Sequence, residues 1–109
     1  MTNHKVHLID VETLKKRRDA DPKLCLIDVR EDNEWREGHI PLAHHIPKDN
    51  LIQRIAAIAP KHETPIYLHC KGGVRSLTAA HALLDLGYQE IYSVEGGFAL
   101  WEKMGFPTA

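Results

Sequence analysis

Two cysteines, Cys25 and Cys70, are all this sequence has, too few for the disulfide framework that holds small secreted domains together. Long apolar runs are missing as well. None approaches the ~18 consecutive apolar residues that read as a membrane span, so no membrane partner is expected. The opening "MTNHKVHLIDVETL" breaks early with charges and lacks the apolar centre of a secretory signal. Together these absences set the expectation of a cytoplasmic, reducing setting. A surplus of charge is also absent. The formal net charge is −1, which gives no bulk attraction for nucleic acid. What is present is an ordinary globular composition, 43% hydrophobic and 27% charged, in 109 residues. That length fits one domain, 1–109, with a core of its own.

Apolar runs of strand length alternate with helix-spaced ones. "VHLI" (Val6 to Ile9) reads as a short strand. Asp10, or Glu12-Thr13, opens a helix through Lys15 to Arg18 that ends at "DADP", where Pro22 disfavours helix at Asp21. "LCLIDVR" (Leu24 to Arg30) is an apolar run of the kind buried on both faces of a parallel sheet. "EDNEWREG" reads as a helical turn closed by Gly38. "HIPLAHHIP", with two prolines, suits an extended segment with one short strand around Ala43 to Ile46. "DNLIQRIAAIAP" places Leu51, Ile52, Ile55 and Ile58 on one helical face between an Asp or Asn cap and Pro60. "PIYLHC" is the next buried strand. "RSLTAAHALLDLG" spaces Leu77, Ala80, Leu83 and Leu84 at helical intervals and stops at Gly87. "EIYSVEGG" gives a strand and "GFALWEKMGFP" a last helix. The alternation predicts an α/β fold in three layers: a mostly parallel central sheet of about five strands with helices on both faces.

Ligands of such sheets sit outside the carboxyl ends of the strands. Two strand ends carry polar chemistry there. "LIDVR" delivers Asp28 and Arg30, and "IYLHC" delivers Cys70. In "YLHCKGGVRSLTAA", Cys70 stands where the apolar run stops, beside Lys71 and Arg75, with no acidic residue between Glu63 and Asp85. Gly72 and Gly73 let the backbone curl so that successive N–H groups converge. A helix is expected from about Arg75 or Ser76, its unpaired N–H groups facing the loop. Each feature favours negative charge, and a cysteine at a helix N-terminus near Lys or Arg can fall from a pKa of ~8.5 to roughly 3.5–7.5. The loop suits a reactive thiolate meeting an anionic substrate; the plain alternative is a surface cysteine on an ordinary strand-to-helix turn.

The loop resembles that of the rhodanese-like sulfurtransferases, whose Cys-x-x-Gly-x-Arg pattern matches Cys70, Gly73 and Arg75. "DVREDNEWREGHIPLAHHIP" also follows that family's order at Asp28-Val29-Arg30, Glu34, Gly38-His39-Ile40-Pro41, Ala43 and Ile46-Pro47. So does "VEGGFALWEKMGFP" at Gly96-Gly97, Trp101, Gly105 and Pro107. His45 departs from the family's usual Asn. The resemblance spans about Val6 to Pro107 and implies a persulfide relay. Cys70 takes the outer sulfur of an anionic donor such as thiosulfate, and an acceptor (cyanide, a small thiol or a protein cysteine) removes it. It further implies that N–H groups from Lys71 through Ser76 cradle the persulfide. Arg75 would orient the donor anion, Lys71 would add charge at the mouth, and Val74 would line the pocket. No cofactor is implied.

Two rival readings remain. Dual-specificity phosphatases of the cell-cycle type and arsenate reductases resemble this architecture but place five residues between Cys and Arg; here Lys71, Gly72, Gly73 and Val74 are four. A binding or regulatory module would keep the fold without turnover. His39, His44, His45 and His69 lack the spacing of a zinc site, so no metal is expected. His69 adjoins Cys70 on a strand and so points to the other face. Cys25 reads as a small core residue, about 16 Å from Cys70 at ~3.3 Å per residue and beyond disulfide reach. Asp28, Arg30 and Glu34 read as fixing the strand end against the loop; Asp28 can take backbone N–H groups, Arg75, Arg30 or Arg36. "KKRR" (Lys15 to Arg18) reads as the solvated end of a helix. Trp35 and Trp101 either pack helices on the sheet or rim the pocket.

Overall fold

The computed structural model of the chain describes residues 4–109, so the first three residues of the expected domain lie outside the described residues. Five strands, β1 (Val6–Ile9), β2 (Cys25–Asp28), β3 (His44–His45), β4 (Ile66–His69) and β5 (Ile91–Val94), form one sheet in the order β1-β5-β4-β2-β3. Every pairing is parallel. The helices are α1 (Val11–Ala20), α2 (Asp32–Glu37), α3 (Leu51–Ile58), α4 (Val74–Asp85) and α5 (Gly97–Lys103). The expected α/β architecture is the one observed.

Alternation along the strands divides the core in two. Ile27, Ile66 and Leu68 pack with Leu51 and Ile55 of α3 and Ala79, Ala80 and Leu83 of α4. Leu26 and Tyr67 face the other way, onto Val11 and Leu14 of α1 and Phe98 and Trp101 of α5. Asp10 opens α1 by accepting the Thr13 N–H at 2.8 Å. β2 stops two residues short of the expected run. There the Asp28 carboxylate takes the Arg30 N–H at 3.0 Å and turns the chain.

Three amphipathic assignments differ from expectation. Ile52, placed by spacing on the buried face of α3, is 43% exposed, because it lies about 100° round the helix from Leu51. Leu77 is likewise partly outside, at 37% exposure, and Ala79 and Ala80 fill the face of α4 that meets the sheet. The end of α1 is not fully solvated. Arg18 is 8% exposed and donates to the Pro41 carbonyl, while Arg17 donates to the Tyr67 hydroxyl at 3.1 Å and lies over the Tyr92 ring. Both arginine stems cover apolar surface that the strands alone leave open. Among the described residues no helix is long and apolar enough to cross a membrane.

Candidate active site

β2 and β4 are neighbours in the sheet, with Asp28 opposite His69. The chain leaving each strand therefore emerges at the same edge of the molecule, as ligand crevices of parallel sheets require. The Val29 N–H donates to the His69 carbonyl at 3.0 Å and ties the two exits together. Cys70 follows β4 directly. Counting on from Ile66 and Leu68, its side chain falls on the α3–α4 side, while His69 falls on the α1–α5 side.

From Cys70 the backbone arches over its own sulfur. Gly73 adopts φ +113°, open to glycine and strained for other residues, and serves as the residue before α4. Its N–H donates to Cys70 Sγ at 3.0 Å, and the Ser76 N–H, in the first turn of α4, donates at 3.4 Å. The Ser76 hydroxyl lies 3.7 Å from the same sulfur. Burial is the largest single influence on the thiol and opposes ionisation. The Ser76 and Gly73 amides, the Ser76 hydroxyl and the Gly72 amide together outweigh it, so the Cys70 pKa falls below the ordinary thiol value. Cys70 is 1% exposed. The sulfur thus sits on the floor of the loop, stabilised chiefly by short-range amide donors.

The two flanking cations differ in their surroundings. Arg75 does not stand free over the sulfur: its two terminal nitrogens bind the Glu34 carboxylate at 2.6 and 2.9 Å. That fork lowers the Glu34 pKa to about 2, while the Arg75 pKa is raised. Lys71 is exposed. It rims a groove of about 290 Å³ with Arg30, Glu34, Glu37, Phe98 and Glu102, so the approach on that side carries charges of both signs. Val74 is 80% exposed at the start of α4 and projects to solvent instead of lining an enclosed pocket.

Asp28 settles on one of its open partners, Arg30. Its two oxygens take Arg30 Nε at 3.0 Å each, and Nη2 binds at 2.8 Å. The same Nη2 donates to the Gly38 carbonyl at 2.7 Å, and the guanidinium lies 4.2 Å from the Phe98 ring centroid. Asp28 is 0% exposed and Arg30 3%, so a charge pair is buried with most of its donors satisfied. It locks the exit of β2 to the C-terminal end of α2 and to α5. His69 is fully buried beside it, Nε2 3.6 Å from Asp28 Oδ2 and Nδ1 3.3 Å from the Cys70 carbonyl. Burial lowers its pKa, against the pull of Asp28, and its ring faces away from the thiol. His45 Nε2 lies 2.9 Å from the Arg30 carbonyl, and Trp35 stacks with both His39 and His45. Trp101 packs α5 on the sheet, and its indole N–H donates to Pro107. Cys25 and Cys70 are both free.

Two contributors carry no chemical signal in the sequence. The Phe98 and Ala99 N–H groups donate to the carbonyls of Cys70 and Lys71 at 2.8 and 3.0 Å. Gly97 makes this approach possible: a Cβ there would lie 2.3 Å from the Cys70 carbonyl oxygen. In the sequence Gly96-Gly97 stands out only as part of the family signature, with no role attached. The second is Ser93 of β5, 2% exposed, whose hydroxyl lies 2.8 Å from that of Ser76. A lone polar residue inside "IYSV" was its only sign.

A parallel α/β sheet that presents a cysteine in an amide-lined loop at the end of a central strand defines a class of thiol-bearing domains. Within that class, residues 8–104 match the Rhodanese-like domain family, and the chain belongs to it. It is 47% identical over 79 residues to YqhL of Bacillus subtilis, covering 72% of this chain and 61% of YqhL, less than two thirds of that relative's length. It is 35% identical over 83 residues to the thiosulfate sulfurtransferase GlpE of Tolumonas auensis, covering 76% of each chain. The fold superposes on a rhodanese-related protein from Thermoplasma volcanium with a TM-score of 0.81 and 28% identity, over 94% of this chain and 97% of that one.

Proposed function

We propose that this domain is a sulfurtransferase that carries a sulfane sulfur on Cys70 between an anionic or persulfide donor, such as thiosulfate, and a thiophilic acceptor. The observation that carries the proposal is the set of donors from Gly73 and Ser76 aimed at Cys70 Sγ. Such a set favours a thiolate at rest and an anionic sulfur during turnover.

In the first half-reaction the Cys70 thiolate attacks the outer sulfur of thiosulfate. An Sγ–S bond forms, the donor's S–S bond breaks, and its electron pair leaves with sulfite. In the second half, an acceptor (cyanide, a thiolate or a protein cysteine) attacks the terminal sulfur and the Sγ–S pair returns to Cys70. Neither step needs an oxidant. The arch from Lys71 to Ser76, with Gly72 and Gly73 at its crown, cradles the added sulfur. A side chain on Gly72 would meet no atom within 4 Å, so this part of the arch borders open space. Arg75, anchored by Glu34 and 33% exposed, keeps a permanent cation at the rim; Lys71 adds a mobile one. Asp28 and Arg30 support the loop from below.

The 1% exposure of Cys70 favours a second reading, a binding module that keeps the fold without turnover. One experiment separates them. Intact-protein mass spectrometry after incubation with thiosulfate is expected to reveal one added sulfur, lost on adding cyanide and absent in Cys70→Ser. A protein that stays unmodified while folded leaves the module reading standing.

A further inference from the structure

We infer that Ser93, a residue of β5 outside the cysteine loop, is a positioning residue that sets the proton of Ser76 and through it the ionisation of Cys70. The inference rests on the proposed role of Cys70 as a thiolate carrier. It follows from counting donors and acceptors around one oxygen.

Ser76 Oγ has three polar neighbours: the Gly73 carbonyl at 3.1 Å, Ser93 Oγ at 2.8 Å and Cys70 Sγ at 3.7 Å. Both serines are buried, at 0% and 2% exposure, so the protein's own groups supply most of the set. A hydroxyl has one proton and two acceptor sites. The carbonyl can only accept. If Ser76 gave its proton to Ser93, nothing would remain for the sulfur, and Ser93's own proton would be left without a partner among the described residues. With Ser93 as donor, every group is satisfied: Ser93 donates to Ser76, and Ser76 donates to Gly73 while the thiol donates to Ser76.

Ionisation of Cys70 removes the thiol proton and turns the sulfur into an acceptor. The Ser76 proton is then free to swing from the Gly73 carbonyl to Sγ. That carbonyl still holds the Leu77 N–H at 3.2 Å, so losing one of two donors leaves it paired. Throughout, Ser93 keeps the Ser76 proton pointed at the loop, and a donor on the oxygen strengthens what that oxygen donates in turn. Ser93 therefore favours the thiolate both when it attacks the donor and when it is expelled as the acceptor takes the sulfur.

The test is the pH dependence of Cys70 alkylation by iodoacetamide, which reads the thiolate without requiring sulfur transfer. In Ser93→Ala the midpoint is expected to move up, with an alkylation rate about two- to fivefold lower below the midpoint and no loss at high pH, where every variant is ionised. Ser93→Thr, which keeps the hydroxyl on a residue suited to a strand, is expected to restore the midpoint. In a Ser76→Ala background, Ser93→Ala is expected to add no further shift. A uniform loss of rate at all pH values, an unmoved midpoint, or shifts that add in the double variant would each overturn the inference. Failure of the thiosulfate experiment with an intact midpoint shift would instead count against the transferase reading alone.

Discussion

Replacing Gly97 with alanine isolates how far the cysteine loop depends on a helix that never touches the sulfur. The alanine Cβ would stand 2.3 Å from the Cys70 carbonyl oxygen, 2.7 Å from that of Lys71 and 2.8 Å from the Lys71 carbonyl carbon. Ordinary carbon–oxygen contacts begin near ~3.3 Å, so loop and helix must part by about 1 Å. Gly97 also holds φ +52°, a left-handed conformation that costs a side-chain-bearing residue roughly 1 kcal/mol or more. Separation weakens the Phe98 and Ala99 hydrogen bonds to the loop, each worth about 1 kcal/mol net. The expected destabilisation is thus about 2–4 kcal/mol. Gly105→Ala is the control: its φ is +74°, and an added Cβ meets nothing within 4 Å, so only the conformational cost of roughly 1 kcal/mol applies. Denaturant midpoints measure the stability of both. Thiosulfate-to-cyanide transfer and the pH profile of Cys70 alkylation measure the site. Gly97→Ala is expected to raise the thiol pKa and lower transfer by up to about 100-fold, the scale of a 1 Å misplacement, with Gly105→Ala close to wild type in both. Equal behaviour of the two variants would refute the reasoning.

Asp28→Asn leaves Arg30 charged, 3% exposed and short of its partner; a loss of about 3–5 kcal/mol is expected in urea unfolding, and a loss below about 1 kcal/mol would argue that the pair is not buried in solution. Glu34→Gln frees Arg75 at a half-exposed site, with an expected cost of about 1 kcal/mol after solvent screening. Because the Glu34 pKa is lowered to about 2, that ion pair is fully present above the ordinary carboxylate range and is lost only as pH falls toward 2; salt and pH titration of the wild-type minus Glu34→Gln stability difference measures it. His69 has a lowered pKa through burial, so its neutral form favours the fold. Its contribution is complete above the unfolded histidine value of about 6.5 and declines as pH drops below it. His69→Phe should flatten that limb of the stability curve, and an unchanged slope would place the titrating group elsewhere.

Local chemistry made the elements legible. Asp10 caps α1, Pro60 and Gly87 follow helices that have ended, and the apolar runs at β2 and β4 have the length and continuity of strands buried on both faces. The cysteine loop was legible for the same reason: its glycines, its strand and its helix are contiguous in the chain. What spacing misjudged were faces whose neighbours come from afar. Ile52 has the right interval yet lies outside, and Arg18 looks solvated yet lies beneath the Pro41 carbonyl.

The chain by itself determined a parallel α/β domain, the place of Cys70 at a strand end, and the amides of Gly73 and Ser76 that follow within one turn. The sequence already marked Glu34 as a brace for that loop; only the tertiary structure decided its partner and the other contacts. Glu34 reaches Arg75 across 41 positions, Ser93 reaches Ser76 across 17, and Gly97 admits α5 against the Cys70 carbonyl. Those contacts depend on the order in which the strands lie side by side. Short-range propensity fixes the strands, but their order is set by how crossovers and core packing close together.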